Sequence, residues 1–216
     1  MLPEKMNTTN SKDQMFPIRV RFCKKGRLRF ISHLDLQRTM KSVFARSGLP
    51  IWYTEGFNPH AKMVFSLPIP LGAESECEYL DFRLTRNLPL EHVRDKMSAA
   101  MTEELMIRDI YKPGKSKLSD IKYCSYDIFP ERPIDLSILD GDKIIIMKRS
   151  KRGEKETDIK PLIRFAGVTH DDVLKATLSA DSDNYLRPDV FAGLLGIPDA
   201  KIVKTHAFFE DMRLFK

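Results

Sequence analysis

Short amphipathic segments of two different periods alternate along this chain, and their order repeats. Ile18-Arg19-Val20-Arg21-Phe22 alternates apolar and polar residues, the period of a strand with one buried face. Lys25-Gly26 reads as a tight turn, with Leu28-Arg29-Phe30 continuing extended. Leu36, Met40, Val43 and Phe44 instead fall at helical spacing and form one apolar stripe. Ser32 offers an N-cap, Asp35 an acidic partner three residues on, and Gly48 and Pro50 stop the helix. Ile51-Trp52-Tyr53 reads as a short strand, and Gly56-Phe57-Asn58-Pro59-His60 as a turn-rich loop. Met63 to Leu71 is extended but interrupted by Pro68 and Pro70. A strand over Tyr79–Leu84 follows, then a helix opened by Pro89 with Leu90, Val93, Met97 and Met101 on one face, then a strand over Leu105–Tyr111.

After the linker-like run Lys112 to Lys117, the same order recurs. Ile121–Phe129 reads as a strand, Pro133–Leu139 as a short helix, and Lys143–Lys148 as a strand with Asp158–Arg164 as its hairpin partner. Asp171–Leu178 is a further strand, Pro188 starts a helix that Gly196 ends, and Lys201–Phe209 alternates as the last strand. Strand, helix, two or three strands, helix, strand is the ferredoxin-like β-α-β-β-α-β order with an elaborated centre. The expected class is therefore α+β, with tandem ferredoxin-like halves. The expected division is a disordered tail over residues 1–15, one domain over 16–112 with an elaborated centre, and a second over 118–216.

Composition narrows the function. No apolar run approaches the ~18 residues of a membrane span, and Met1–Gln14 lacks an apolar signal-peptide stretch. Cys23, Cys77 and Cys124 form no CxxC pair and no disulfide framework, which suits a reducing cytoplasm. They also exclude a zinc ribbon and a self-ligated iron–sulfur cluster of the CxxxCxxC kind. Phosphate-loop, dinucleotide, HExxH and nucleophile motifs are absent, so no cofactor and no metal is expected. Net charge is +6 and the isoelectric point about 9.2. The charge is concentrated: residues 19–46 carry nine Lys or Arg against Asp35 alone, and 143–155 carry six against Glu154. Two basic segments on an otherwise acidic chain point to an anionic partner, with phosphate backbone the usual one.

Three constellations are candidate binding sites. Arg27, Arg29, Ser32, His33 and Asp35 meet at a helix start, where free N–H groups attract phosphate and disfavour imidazolium. A neutral His33 there is a candidate general base or hydrogen-bond donor. Glu55, Gly56, Phe57, Asn58, His60 and Lys62 form a candidate binding loop, expected to fold back so that His33 and His60 line one cleft. Lys148, Arg149, Lys151 and Arg152 sit at the tip of a hairpin suited to backbone phosphates. Arg187, at the start of the last helix, is expected to pair with Asp158 or to serve as a site.

The run Lys25-Gly26-Arg27-Leu28-Arg29-Phe30-Ile31-Ser32-His33-Leu34-Asp35-Leu36 resembles the bacterial radical-SAM-linked protein family. So do Tyr53-Thr54-Glu55-Gly56-Phe57-Asn58-Pro59-His60-Ala61-Lys62, with Ser66 and Leu71-Gly72, and the later Thr157-Asp158-Ile159-Lys160-Pro161 and Leu186-Arg187-Pro188. Ala61 stands where that family often has proline. The resemblance implies a domain encoded beside, or fused to, a cobalamin-type radical S-adenosylmethionine protein, and hence such a protein as partner. A fold-level likeness to the CRISPR repeat-processing endonucleases rests on the basic first strand, the helix opened by histidine and the Gly-Phe-Asn-Pro loop. The leading expectation is an RNA-binding accessory protein that presents RNA to a radical SAM enzyme through segments 19–46 and 143–155. The alternatives are a metal-independent endoribonuclease using His33, and a protein scaffold with no nucleic-acid role.

Overall fold

The structure is a computed structural model that describes residues 15–150 and 153–216. The expected N-terminal tail, apart from Met15, lies outside the described residues. The chain is a mixed α+β protein with three helices and a mostly antiparallel sheet. Its first half runs β1 (Phe16–Lys24), α1 (His33–Ser47), β2 (Val64–Phe65), β3 (Glu74–Leu84), α2 (Leu90–Ala99) and β4 (Ile107–Tyr111). The second half runs β5 (Tyr123–Phe129), β6 (Ile145–Ser150), β7 (Gly153–Asp158), β8 (Ile163–Val168), β9 (Leu174–Ser179), α3 (Pro188–Leu194) and β10 (Lys201–Phe208).

The main sheet has the order β4-β1-β3-β10-β5-β9-β8, with β2 on β3. Within the first half the spatial order is β4-β1-β3-β2, and within the second β10-β5-β9-β8: last strand, first, third, second, in both cases. Every pairing is antiparallel except the seam between the halves, where β10 runs parallel to β3 and sets Val203 beside Glu74 and Lys204 beside Ser75.

Alternation on the strands decides what each face buries. Ile18, Val20 and Phe22 of β1 and Leu80, Phe82 and Leu84 of β3 meet Leu36, Met40, Val43 and Phe44 of α1 and Val93 and Met97 of α2 in one core. Cys124, Tyr126 and Ile128 of β5, Leu174, Ala176 and Leu178 of β9, and Phe191 and Ala192 of α3 form a second. Cys77 and Tyr79 of β3 belong to this second core, so the two halves share a strand. The C-terminal Phe215 packs edge-on to Tyr79 at 5.1 Å and lies 4.9 Å below the Arg19 guanidinium. Arg19, fully buried, is held bidentately by Asp81 at 2.7 Å.

Ser32 caps α1 by accepting the Asp35 N–H, and Gly48 ends it in the left-handed region at φ 65°. Other expectations need correction. The chain does turn at Gly26, but Leu28–Phe30 is not extended: it belongs to a 3-10 turn over Gly26–Phe30. Gly26 reverses the chain at φ 56°, and the carboxylates of Glu74 and Glu104 take the Gly26 and Arg27 amides that a strand would have paired. Ile51–Tyr53 makes only isolated bridges, Ile51 to Leu84 and Tyr53 to Ala61. In Met63–Leu71 only Val64 and Phe65 pair, because Pro68 and Pro70 have no N–H for a ladder. The expected helix over 133–139 shrinks to a 3-10 turn at Ser137–Leu139, since Asp135 captures the Ser137 amide and hydroxyl. The partner of β6 is β7, not Asp158–Arg164: the register sets Lys148 opposite Lys155, and Asp158 ends the ladder by accepting the Ile144 and Lys160 amides. Among the described residues no helix is long and apolar enough to cross a membrane.

Candidate functional site

The start of α1 is a closed polar knot. The Ser32 hydroxyl donates to Asp35 at 2.7 Å, and Arg38 donates to the same carboxylate at 3.0 Å. The Ser32 hydroxyl, and then Arg38, hold the Asp35 carboxyl below the usual carboxylate range. His33 packs edge-on against Phe65, ring centres 5.3 Å apart, and its Nε2 meets the Gln37 amide nitrogen at 2.9 Å. With that nitrogen as donor, Nε2 accepts and the ring proton sits on Nδ1. Nδ1 is buried and has no hydrogen-bond partner among the described residues.

Beneath His33 lies a buried charged cluster. A bulge in the β1–β3 ladder sets Phe22 opposite Glu78 and Lys24 opposite Ser75, the residue that Lys204 adjoins from β10. Three strands thus deliver Lys24, Glu78 and Lys204 to one place, 4 %, 3 % and 3 % exposed. Lys204 and Glu78 form an ion pair. Beyond the backbone pairing of Lys24 with Ser75, its ammonium makes neither a hydrogen bond nor an ion pair among the described residues. Burial pushes the Lys24 ammonium below the ordinary lysine range despite the attraction of Glu78, and the Lys204 charge adds to the depression. Burial acts the same way on Lys204, but contact with Glu78 outweighs it and the value rises. The neighbouring thiols are inert: burial pushes Cys77 up to about 12 and Cys124 up to about 11. Between Lys24, Ser32, His33, Leu36 and Glu78, under Pro68 and Ile69, is a cavity of about 10 Å³.

Other expected site residues lie elsewhere. The 55–62 loop closes on itself: the Thr54 N–H donates to the His60 carbonyl at 2.9 Å, and His60 Nδ1 lies 3.1 Å from both the Thr54 hydroxyl and the Asn58 carbonyl. Glu55, Gly56, Phe57, Asn58, His60 and Lys62 are exposed. His33 and His60 therefore have different partners, and among the described residues no ring contact or common hydrogen-bond partner joins them. Lys62 lines a separate cavity of about 390 Å³ with Asp81 and Arg83. Arg27 is nearly fully exposed beside Glu104, and Arg29 reaches Glu74 while its guanidinium covers the Phe30 ring at 4.7 Å.

β6 and β7 pair only with each other and form a two-stranded arm separate from the main sheet. Ile144 and Ile159 are buried at its base, whereas Ile145 and Met147 are 50 % and 55 % exposed along it. Lys151 and Arg152, and the side chains of Lys148 and Arg149, lie outside the described residues. Arg187 does not pair with Asp158: the shorter reach within its own helix start gives it a bidentate contact with Asp189 at 3.0 and 2.5 Å. It borders a groove of about 490 Å³ with Leu67–Leu71 and Tyr185. Among the described residues no three of His, Cys, Asp and Glu come together as a metal site.

Lys24, Glu78 and Lys204 were not anticipated, yet a signal was present. Lys24 continues the inward parity of Ile18, Val20 and Phe22, Glu78 that of Leu80, Phe82 and Leu84, and Lys204 that of Ile202. A charge at an inward strand position is the mark of a buried polar site.

Compared with known families, residues 17–188 match the family described as uncharacterized protein conserved in bacteria (DUF2344). No curated protein matches the chain.

Proposed function

The chain belongs to the DUF2344 family of bacterial proteins, and from that premise we propose that it is a cytoplasmic RNA-binding accessory protein that works with a radical SAM enzyme. The observation that carries the RNA-binding part is the β6–β7 arm. It stands outside the main sheet, exposes Ile145 and Met147, and carries five Lys or Arg among residues 148–155 against Glu154. A two-stranded ribbon with a basic tip offers cations to phosphates and apolar side chains to bases or grooves. Residues 19–46 supply a second basic segment, with Arg27 and Arg38 exposed.

The fold supports the same reading. The last-first-third-second strand order in both halves suits two ferredoxin-like domains, 16–112 and 118–216, the second with a 3-10 turn and the β6–β7 arm in place of its first helix. The likeness to CRISPR repeat-processing proteins rests on the basic first strand, the histidine that opens α1 and the Gly56–Pro59 loop. The radical SAM partner rests on the motifs at 25–36 and 53–62. His33 enters as a packed residue rather than an RNA-cleaving base. Its ring is wedged between Phe65 and Gln37, with Nε2 held by the Gln37 amide, which supports a packing role.

The test is the anisotropy of a fluorescent single-stranded RNA over a sodium chloride series. If the two basic segments engage about five phosphates, log K against log salt falls with a slope of about −3.5, roughly −0.7 per contact. Reversing Arg149, Lys151 and Arg152 to Glu weakens binding and flattens the slope. An unchanged slope and affinity in that variant would remove the arm from the account.

A further inference from the structure

Two ammonium groups and one carboxylate are buried together under α1, and their charges do not cancel. Glu78 is engaged by Lys204, which leaves Lys24, 4 % exposed, without a contact partner among the described residues. An interior charge left so is costly unless a counter-charge arrives. His33 Nδ1, also buried and unpartnered, borders the same cavity. The first turn of α1, a helix of 15 residues, opens there with the positive end of its dipole. Asp35, the acid of that turn, is occupied by Ser32 and Arg38. The cavity thus has the donors Lys24, Ser32 and His33 on its walls together with one carboxylate, Glu78, whose charge Lys204 pairs.

At about 10 Å³ the closed cavity admits no more than a water. Its roof is the strap Leu67–Leu71. The strap is tied at its ends, where the Ser66 N–H donates to Tyr79 and the Gly72 N–H to Arg29, at 3.1 and 3.0 Å. Between them, apart from a local turn from Ala73 to Pro70, the strap is held to the second half by the Ile69 side chain, which packs against its core, and by one hydrogen bond, Tyr185 to the Pro68 carbonyl at 3.5 Å, the outer limit of such a bond. Pro68 and Pro70 have no N–H to add. The groove of about 490 Å³ beside Arg187 lies against this strap, so lifting it would join groove and cavity.

We propose that Lys24, His33 and the first turn of α1 bind a phosphate monoester group, with the Leu67–Leu71 strap as its lid. Donors of three kinds suit a tetrahedral anion with several free oxygens, and a dianion meets the uncompensated charge. The site does not depend on the RNA-binding reading, because a nucleotide and an RNA 5′ end present the same group.

The test adds inorganic phosphate to the full chain, with chloride at matched ionic strength as control. Two quantities are followed: the thermal midpoint, and the rate at which acetic anhydride labels Lys24, read by peptide mass spectrometry. At ten times the dissociation constant, phosphate raises the midpoint by about 3–6 °C and slows Lys24 labelling. Lys24→Met abolishes the phosphate-specific shift; should that variant fail to fold, protection of Lys24 decides alone. A shift no larger than that of chloride, with unchanged labelling, would overturn the site. Uridine monophosphate and 5′-phosphorylated and 5′-hydroxyl oligouridylates then identify the carrier. Protection by a phosphorylated species alone supports the site, whereas equal protection by the 5′-hydroxyl oligonucleotide overturns it. The arm-reversed variant separates the two readings, since it loses RNA affinity and keeps phosphate protection.

Discussion

Replacing Glu78 by Gln leaves its volume in place and removes the one negative charge between Lys24 and Lys204. Both lysines are 4 % exposed or less, so water screens neither. Two unit charges in contact at an effective dielectric of ~20 attract by about 4 kcal/mol. Breaking a buried pair on one side costs about 3–5 kcal/mol, because the orphaned charge stays behind. For a chain of this size that is a fall of about 6–20 °C in midpoint, at roughly 2–4 °C per kcal/mol. Lys24→Met acts in the opposite sense, since it removes a buried cation that has no contact partner; its stability equals or exceeds that of the wild type. In the double variant the Glu78→Gln penalty shrinks, as one buried cation remains instead of two. Urea unfolding of the four proteins gives the coupling directly. A Glu78→Gln loss below about 1 kcal/mol, the figure for an exposed pair, would show that the cluster is wet and refute its description as a buried charge imbalance.

Two further outcomes follow from the caps. Ser32→Ala removes the acceptor for the Asp35 N–H and lowers stability by about 1 kcal/mol in urea unfolding. Asp158, at the base of the arm, accepts the Ile144 and Lys160 amides, which hold its carboxyl below the ordinary 3.8. A folded value below the unfolded one adds stability that is full above 3.8 and lost as pH falls through the folded value. The gap in thermal midpoint between wild type and Asp158→Asn is therefore open at pH 7 and narrows at pH 3.

Most of the fold was legible because its signals are local. The stripe from Leu36 to Phe44 and the Ser32 and Gly48 caps fix α1 within the chain itself, and alternation fixes β1, β3, β5 and β10. Errors arose where a distant group competes for the backbone. Glu74 and Glu104 turn residues 26–30 into a 3-10 turn from 48 and 77 residues away, which no local pattern encodes. The site was half legible. His33 and Ser32 stood out as a helix start, but the charges below them come from three strands brought together by a bulge and a parallel seam. His33 and His60, expected to line one cleft, share no contact partner among the described residues: His60 is bonded within its own loop by Thr54 and Asn58, and His33 by Gln37.

RNA recovered after ultraviolet crosslinking in the protein's own cell addresses the RNA-binding reading most directly, comparing the wild-type chain with the variant carrying Glu at 149, 151 and 152. The wild type is expected to yield a restricted set of RNA sequences, with recovery from the reversed arm lower by about tenfold, the effect of roughly 1.4 kcal/mol lost at the arm. Equal recovery from both proteins, or none above background from either, would contradict it.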